Sequence, residues 1–147
     1  MLLFNQQGHL IPSIPIVANI SLIRSVFLNN EHRTLLFERL ELFLDVIKAR
    51  VEDEIEVWIN GSFVTTKPYP NDIDVVIFLP YTFFMEEEKW LIKRRNEEKP
   101  YLHIFFVSVY PQHHSSYILT QSDSIQWLYT FSTTIKKENK GFLKIIL

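Results

Sequence analysis

Residues 59–74 read INGSFVTTKPYPNDID, and this stretch joins two apolar segments through a loop that is rich in proline. The preceding segment, EIEVWI, alternates in polarity and predicts a strand with one buried face, formed by Ile55, Val57 and Ile59. The following segment, IDVVIFL, is almost entirely apolar and rich in branched side chains, which predicts a strand in the interior of a sheet. The stretch therefore predicts two strands with polar residues at both junctions with the loop.

The second junction carries two aspartates that are separated by a single residue. Because alternate residues of a strand share a face, Asp72 and Asp74 are expected to point the same way. Neighbouring carboxylates oppose each other's ionisation, and a bound divalent cation removes this conflict. Magnesium is commonly held by one or two carboxylates together with substrate phosphates. An Asp-x-Asp pair by itself more often caps a strand or shapes a turn, so the prediction of a metal site depends on its surroundings.

The first junction carries residues that suit a phosphate group. Gly61 lets a phosphate approach the backbone closely, and the hydroxyl of Ser62, with nearby amides, can donate to phosphate oxygens. Lys67 lies in the loop and could also reach a phosphate. A strand ending in Gly-Ser, then a loop, then Asp-x-Asp opening an apolar strand predicts a site for a metal-bound phosphate.

Length and composition limit the class of protein. The chain has 147 residues, of which 47% are hydrophobic, and this predicts one domain covering residues 1–147. There is no cysteine, which excludes disulfides, thiol catalysis and cysteine zinc sites and fits a cytoplasmic protein. The formal net charge of −2 gives no general attraction to nucleic acid, which stays possible as a partner without being indicated. No apolar run reaches the roughly 18 residues that span a bilayer, so no membrane partner is expected.

Hydrophobic periodicity predicts the other elements of the fold. They are, after an irregular opening, helices at about residues 20–28 and 31–50, and, after the two central strands, a helix at about 83–97, a strand at about 102–110, a helix at about 115–133 and a strand at about 142–147. Asn19 or Ser21 could cap the first helix and Thr82 the third, and the last strand could close a sheet edge. This order predicts an α/β or α+β domain with a mixed sheet.

The central stretch WINGSFVTTKPYPNDIDVVIFL resembles the core of the minimal nucleotidyltransferases of the polymerase-beta superfamily, which carry Gly-Ser, a short spacer and Asp-x-Asp. It is similar in particular to a small, poorly characterised bacterial branch of that superfamily. The segments FNQQGHLIP and FFVSVYP and a closing helix around Trp127 before KGFLKIIL fit the same branch. The resemblance covers most of the chain, and its specific part is the central motif.

The resemblance implies a nucleotidyltransferase-like mixed sheet, with helices packed mainly on one face and the active site on the other. It implies Mg²⁺ at Asp72 and Asp74, and ATP or another nucleoside triphosphate as the donor, with Gly61 and Ser62 holding the triphosphate. The reaction would be nucleotidyl transfer, in which an acceptor hydroxyl attacks the α-phosphate and pyrophosphate leaves.

The sequence departs from the superfamily at the third carboxylate, which is usually found on a later strand. His103 stands where that aspartate is expected, and alternation along YLHIFFV could turn its side chain toward the aspartates. An imidazole can act as a base or bind a metal, but it suits magnesium less well than an oxygen ligand. Glu56 is a possible substitute carboxylate. The alternative reading of His103 is a hydrogen-bonded histidine of the sheet.

Two functions from different classes follow from these residues. The first is a Mg²⁺-dependent nucleotidyltransferase that modifies a protein, an RNA or a small molecule, and by analogy with the superfamily it could belong to a toxin–antitoxin or phage-defence pair. The second is a catalytically degenerate module of the same fold that binds a nucleotide or a partner protein. Intact Gly-Ser and Asp-x-Asp pairs favour the enzyme, whereas His103 favours the module.

Other charged clusters are interpreted as solvated surfaces. They are Lys93, Arg94 and Arg95 on the third predicted helix, His113 and His114 in a loop, and Lys136, Lys137, Lys140 and Lys144 near the end of the chain. Neither basic cluster alternates with aromatic residues as a single-strand binder would. Trp58 and Trp127 are interpreted as packing residues.

Overall fold

The computed structural model of the protein describes residues 1–147. Its elements are, in chain order, β1 (Leu3–Phe4), β2 (Leu10–Ile11), β3 (Pro15–Val17), α1 (Ile20–Phe27), α2 (Glu31–Lys48), β4 (Glu56–Asn60), a short 3₁₀ turn (Ser62–Val64), β5 (Ile73–Pro80), α3 (Tyr81–Glu97), β6 (Leu102–Val109), α4 (Tyr117–Phe131) and β7 (Phe142–Ile146). The opening segment, predicted to be irregular, contains three short strands. None of the helices has the length and apolar character required to cross a lipid bilayer.

The main sheet is mixed and has five strands in the order β3-β7-β4-β5-β6. β4 is antiparallel to both of its neighbours, whereas β5 runs parallel to β6 and β3 runs parallel to β7. The interior position predicted for β5 is confirmed. The edge position considered for the last strand is wrong, because β3 pairs with the outer side of β7. The predicted fold class, an α+β domain with a mixed sheet, is confirmed.

The two faces of the sheet carry separate hydrophobic clusters. The larger cluster, of 24 buried residues, includes Ile73, Val75 and Ile77 of β5 and buried side chains of α1, α2 and α3. The smaller cluster lies on the opposite face, and its six buried members are Trp58, Val76, Phe78, Val107, Phe131 and Phe142. Three helices therefore cover one face, and the C-terminal part of α4 covers part of the other.

The prediction that β4 has only one buried face is wrong. Trp58, which alternation assigns to the exposed side, is buried because its ring packs against Phe78 and Phe142, at centroid distances of 4.7 and 5.1 Å. Phe131 of α4 packs edge-on against Phe142 and closes this cluster. The side of β4 that carries Trp58 is therefore covered at its middle.

Asparagine caps fix the starts of the first two helices. The side chain of Asn19 accepts from the amide of Leu22, and that of Asn30 accepts from the amide of Arg33, which satisfies amides that lack a partner within the helix. The Thr82 cap predicted for α3 is wrong. That helix starts directly after β5, with Pro80 at the cap position and no side-chain cap.

Candidate metal centre and adjoining cleft

Three side chains with metal-binding atoms converge at one end of the main sheet. The imidazole of His103 lies between the two aspartates, with Nδ1 3.2 Å from Oδ1 of Asp74 and Nε2 3.5 Å from Oδ2 of Asp72. Each residue offers one ligand atom, and these atoms all lie within 4.8 Å of one another. The structure thus brings together the three residues that the sequence predicts to carry the chemistry, and it places them within reach of one small cation.

Strand register explains why these side chains meet. β5 and β6 are parallel, and Asp74 is paired with His103 in their register. The amide of Ile73 donates to the carbonyl of Tyr101, which fixes Asp72 beside the start of β6. Asp74 shares its face of β5 with Val76, a member of the smaller cluster, because alternate residues point the same way. The group therefore lies on the face opposite α1, α2 and α3.

The negative charge of Asp74 is compensated only in part by the positive groups around it. Burial raises the pKa of Asp74 above its ordinary value, and the charge of Asp72 raises it further. His103 and Lys140 act in the opposite direction without cancelling these effects. A divalent cation between the two aspartates would remove this destabilisation, because opposite charge favours the ionised form.

The ligand set fits a divalent cation. Two carboxylates satisfy the preference of Mg²⁺ for oxygen, and an imidazole as third ligand adds a preference for first-row transition metals. Asp72, Asp74 and His103 would therefore hold Mn²⁺ more readily than Mg²⁺. The side chains of all three are between about one quarter and one half exposed, so the group is open to solvent and to a substrate.

Gly61 is required where β4 turns toward this group. Its φ of +84° and ψ of −168° lie in a region that is almost restricted to glycine. A Cβ atom built on Gly61 would lie 2.8 Å from Oδ2 of Asp74, so any side chain would push that carboxylate away. Ser62 follows in the short 3₁₀ turn, and its carbonyl accepts from the amide and the hydroxyl of Thr65. The predicted proximity of Gly-Ser and Asp-x-Asp is confirmed.

Arg33 of α2 holds the loop that follows Gly61, and the sequence analysis missed this residue. Its side chain is buried, with 1% exposure, and it has no carboxylate partner. Its guanidinium donates to the carbonyls of Phe63 at 2.7 Å, Thr65 at 2.8 Å and Lys67 at 3.1 Å, with longer contacts to two further carbonyls. Burial lowers its pKa. One buried cation thus ties successive carbonyls of the Ser62–Lys67 loop to α2.

The N-terminal hairpin supports the same loop from the other side. Gly8 has a φ of +82°, and its carbonyl accepts from the amide of Thr66. His9 forms a bridge to Thr65, and the side chain of Asn5 accepts from the amides of Gln7 and His9. The FNQQGH segment thus has a structural role in shaping the loop.

A cleft of about 900 Å³ opens beside the candidate metal group, which is formed by Asp72, Asp74 and His103. Asp74 belongs to both the group and the cleft lining. The polar residues that also line the cleft include Asn60, Gly61, Ser62, Lys67, Lys136 and Lys140. The predicted phosphate-binding residues Gly61, Ser62 and Lys67 therefore lie on one cleft, next to one of the predicted metal ligands. Asp72 and His103 are not part of the cleft lining and stand on the other side of Asp74.

The C-terminal lysines do not form one solvated face. Lys140 reaches into the cleft and donates to Oδ1 of Asn60 at 3.0 Å, whereas Lys144 forms an ion pair with Glu56 at 2.5 Å.

Glu56 is excluded as a substitute third carboxylate. It pairs with Phe78 in the register of β4 and β5, whereas Asn60 pairs with Asp74, so Glu56 lies four positions from the metal group along the strand.

Fold and site together define an α+β chain with a candidate metal group at a sheet end and a polar cleft beside it. By sequence the chain belongs to DUF6932, a family of unknown function, whose profile it matches over residues 2–146. No curated protein and no solved structure matches it. The resemblance to nucleotidyltransferases stays a prediction.

Proposed function

We propose that this protein is a divalent-metal-dependent nucleotidyltransferase that moves a nucleoside monophosphate from ATP or another nucleoside triphosphate to a hydroxyl of a protein, an RNA or a small molecule. The observation that carries the proposal is the shared position of Asp74. It belongs to the Asp72, Asp74 and His103 group, and it also lines the cleft with Gly61 and Ser62. A metal-bound triphosphate needs this combination of carboxylates next to a polar cleft.

The residues divide the proposed reaction among them. The acceptor oxygen attacks the α-phosphorus, the bond from that phosphorus to its bridging oxygen breaks, and pyrophosphate leaves. Asp72 and Asp74 hold the metal, which when bound neutralises charge on the phosphate oxygens. Gly61, Ser62 and Lys67 line the cleft where the phosphates would lie. His103 occupies the third position of the group and would be the third ligand of the metal, and the proton of the attacking hydroxyl would pass to solvent.

Label transfer tests the proposal. Purified protein is incubated with each nucleoside triphosphate labelled at the α-phosphate, with Mg²⁺ or Mn²⁺ and a cell extract as the source of acceptors. We expect transfer of the label by the wild type and a loss of at least about 100-fold in Asp74→Asn, because a metal ligand is removed. Glu56→Gln is the matched control. Glu56 lies on the face of β4 that also carries Asn60, the partner of Asp74, but at the opposite end of that strand. Transfer that survives in Asp74→Asn, or transfer of a γ-label instead, would overturn the proposal.

One observation favours a second function, a module that binds a nucleotide without transferring it. The third position of the metal group is His103 and not a carboxylate. Under this alternative, the wild type binds a nucleoside triphosphate in the presence of Mn²⁺, and this binding is lost in Asp74→Asn, but no label reaches an acceptor with any of the triphosphates. Equilibrium binding and label transfer measured on the same preparations separate the two functions.

A further inference from the structure

Lys140 is held in a fixed place on the wall of the cleft, although it lies in the segment that connects α4 to β7. Its amide donates to the carbonyl of Ser132 at 2.9 Å, and the next residue, Gly141, donates to the carbonyl of Leu10 at 2.7 Å. The backbone is therefore anchored at both positions. The direction of the Lys140 side chain into the cleft follows from this anchoring and is not that of a free surface lysine.

The ammonium group of Lys140 has one partner and spare hydrogen-bonding capacity. It donates to Oδ1 of Asn60, a residue with only 4% exposure that pairs with Asp74 in the register of β4 and β5. An ammonium has three donors, and no carboxylate lies within 4.0 Å of this one. Lys144, four residues further on, instead forms a close ion pair with Glu56. Lys140 is thus a positioned cation with donors available to a ligand.

Keeping a charged lysine in this place costs stability. Burial lowers the pKa of Lys140, and the neighbouring charge of Asp74 offsets this only in part. A lysine that merely faces solvent carries no such cost. A ligand with negative charge in the cleft would compensate it, because it would supply the acceptors that Lys140 lacks.

The cleft suits a polar anion of nucleotide size. Its volume of about 900 Å³ is in the range of small-molecule sites, and only 2 of its 18 lining residues are hydrophobic. The charged side chains of the lining are three lysines and two carboxylates, namely Lys67, Lys136, Lys140, Asp74 and Glu138. Lys140 is the lysine among them whose charge couples to Asp74.

We propose that Lys140 binds the triphosphate chain of the donor nucleotide, and that without a ligand it serves as a built-in counter-charge for Asp74 that weakens divalent-cation binding. This inference rests on the proposed function. It predicts opposite effects when the charge is removed. Phosphate binding weakens, because a donor is lost, and cation binding strengthens, because a positive charge near the metal group is gone.

The test measures the binding of Mn²⁺ alone and of preformed Mn²⁺–tripolyphosphate by calorimetry. In Lys140→Met we expect affinity for Mn²⁺–tripolyphosphate to fall about 10-fold or more and affinity for Mn²⁺ to rise about 3-fold or more. Lys136→Met is the matched control, since Lys136 lines the same cleft but is exposed. It should change either affinity by less than about 2-fold. Lys140→Arg keeps the charge and should retain tripolyphosphate binding. If Lys140→Met does not fold, Lys140→Gln, which also removes the charge, is measured in its place with the same expected changes.

Three outcomes would overturn the inference. They are a wild type that does not bind Mn²⁺–tripolyphosphate, a Lys140→Met variant that binds it as well as the wild type, and a folded Lys140→Met variant in which both affinities fall together, as general damage to the site would cause. Transfer of nucleotides is not measured, so the inference and the proposed function can fail separately. A protein that binds tripolyphosphate through Lys140 but transfers no label refutes only the transferase.

Discussion

Asp74 and His103 occupy paired positions on the parallel strands β5 and β6, and Nδ1 of the imidazole lies 3.2 Å from Oδ1 of the carboxylate. The same ring reaches Asp72 through its other nitrogen, at 3.5 Å. A cation held by these three side chains would therefore have an imidazole nitrogen as its third ligand, and this ligand favours first-row transition metals over Mg²⁺. The identity of that one residue should decide which cation the group binds.

Changing His103 to aspartate should shift the preference of the group from Mn²⁺ toward Mg²⁺. An oxygen ligand replaces a nitrogen ligand at the same point of β6, and magnesium is the harder ion. We expect the ratio of Mn²⁺ to Mg²⁺ affinity to fall about 10-fold in His103→Asp, as measured by calorimetry, and any Mg²⁺-supported label transfer to increase.

His103→Asn is the control for this change, because it also removes the imidazole but adds no charge. His103→Asn should weaken the binding of both ions, and the ratio of Mn²⁺ to Mg²⁺ affinity should change less than it does in His103→Asp. If His103→Asp leaves the ratio unchanged, His103 is not a ligand and acts only as a partner of the two aspartates.

Changing Asp74 to asparagine should stabilise the metal-free protein at neutral pH. Burial and the charge of Asp72 raise the pKa of Asp74 in the folded state, so the protonated form favours folding. That contribution is present below the unfolded pKa and is lost as the pH rises through the folded pKa. The melting temperature of Asp74→Asn should therefore exceed that of the wild type at pH 7, and the difference should shrink as the pH falls into the acidic range.

Differential scanning calorimetry with a chelator present measures this difference. Asp53→Asn, at an exposed position in the loop before β4, is the matched control and should show no such pH-dependent gain. A wild type that is more stable than Asp74→Asn at pH 7 without metal would contradict the account of this carboxylate. Saturating Mn²⁺ should reverse the order, since the wild type alone retains the complete ligand group.

Replacing Arg33 should be among the most damaging single changes in the chain. Its guanidinium donates to carbonyls of the loop at Phe63, Thr65 and Lys67. Arg33→Met leaves these buried acceptors without a partner, so the free energy of unfolding in urea should fall by about 3 kcal/mol or more. Arg33→Lys keeps the charge but supplies fewer donors, and it should recover only part of this loss.

The comparison for Arg33 is Arg39→Met, on the same helix. Arg39 is 41% exposed in its side chain and pairs with Glu98, so its loss should change the free energy of unfolding by at most about 1 kcal/mol. Equal effects of the two changes would show that the carbonyl contacts of Arg33 contribute little to stability.

The common direction of the two aspartates was predictable because the geometry that unites them is local. Asp72 and Asp74 share a face through the two-residue period of a strand, and the same period turns His103 toward them once β5 and β6 are neighbours. The position of His103 in the register needed more than periodicity. It followed from the resemblance, which expects a carboxylate on a later strand.

Features that depend on long-range packing were not predictable in this way. Trp58 was interpreted as a packing residue, but its partners Phe78 and Phe142 on β5 and β7 did not follow from the sequence. The contact of Lys140 with Asn60 joins residues that are 80 positions apart. Arg33 did leave a signal. It lies three and four residues before Leu36 and Phe37, on the stripe that faces the core, and an arginine on such a stripe must find buried acceptors.

Replacing Gly61 by alanine should impair both the fold and the metal group. The backbone there adopts a conformation that is almost restricted to glycine, and the new Cβ would lie 2.8 Å from Oδ2 of Asp74. We expect the free energy of unfolding to fall by about 1–3 kcal/mol and Mn²⁺ affinity to fall about 10-fold or more. Gly8→Ala separates backbone strain from displacement of Asp74. Gly8 also has a positive φ, but a Cβ atom there would clash with Thr66 and not with Asp74. Gly8→Ala should destabilise the protein to a similar extent and retain Mn²⁺ binding. An equal loss of Mn²⁺ affinity in both variants would mean that Gly61 does not act through the position of Asp74.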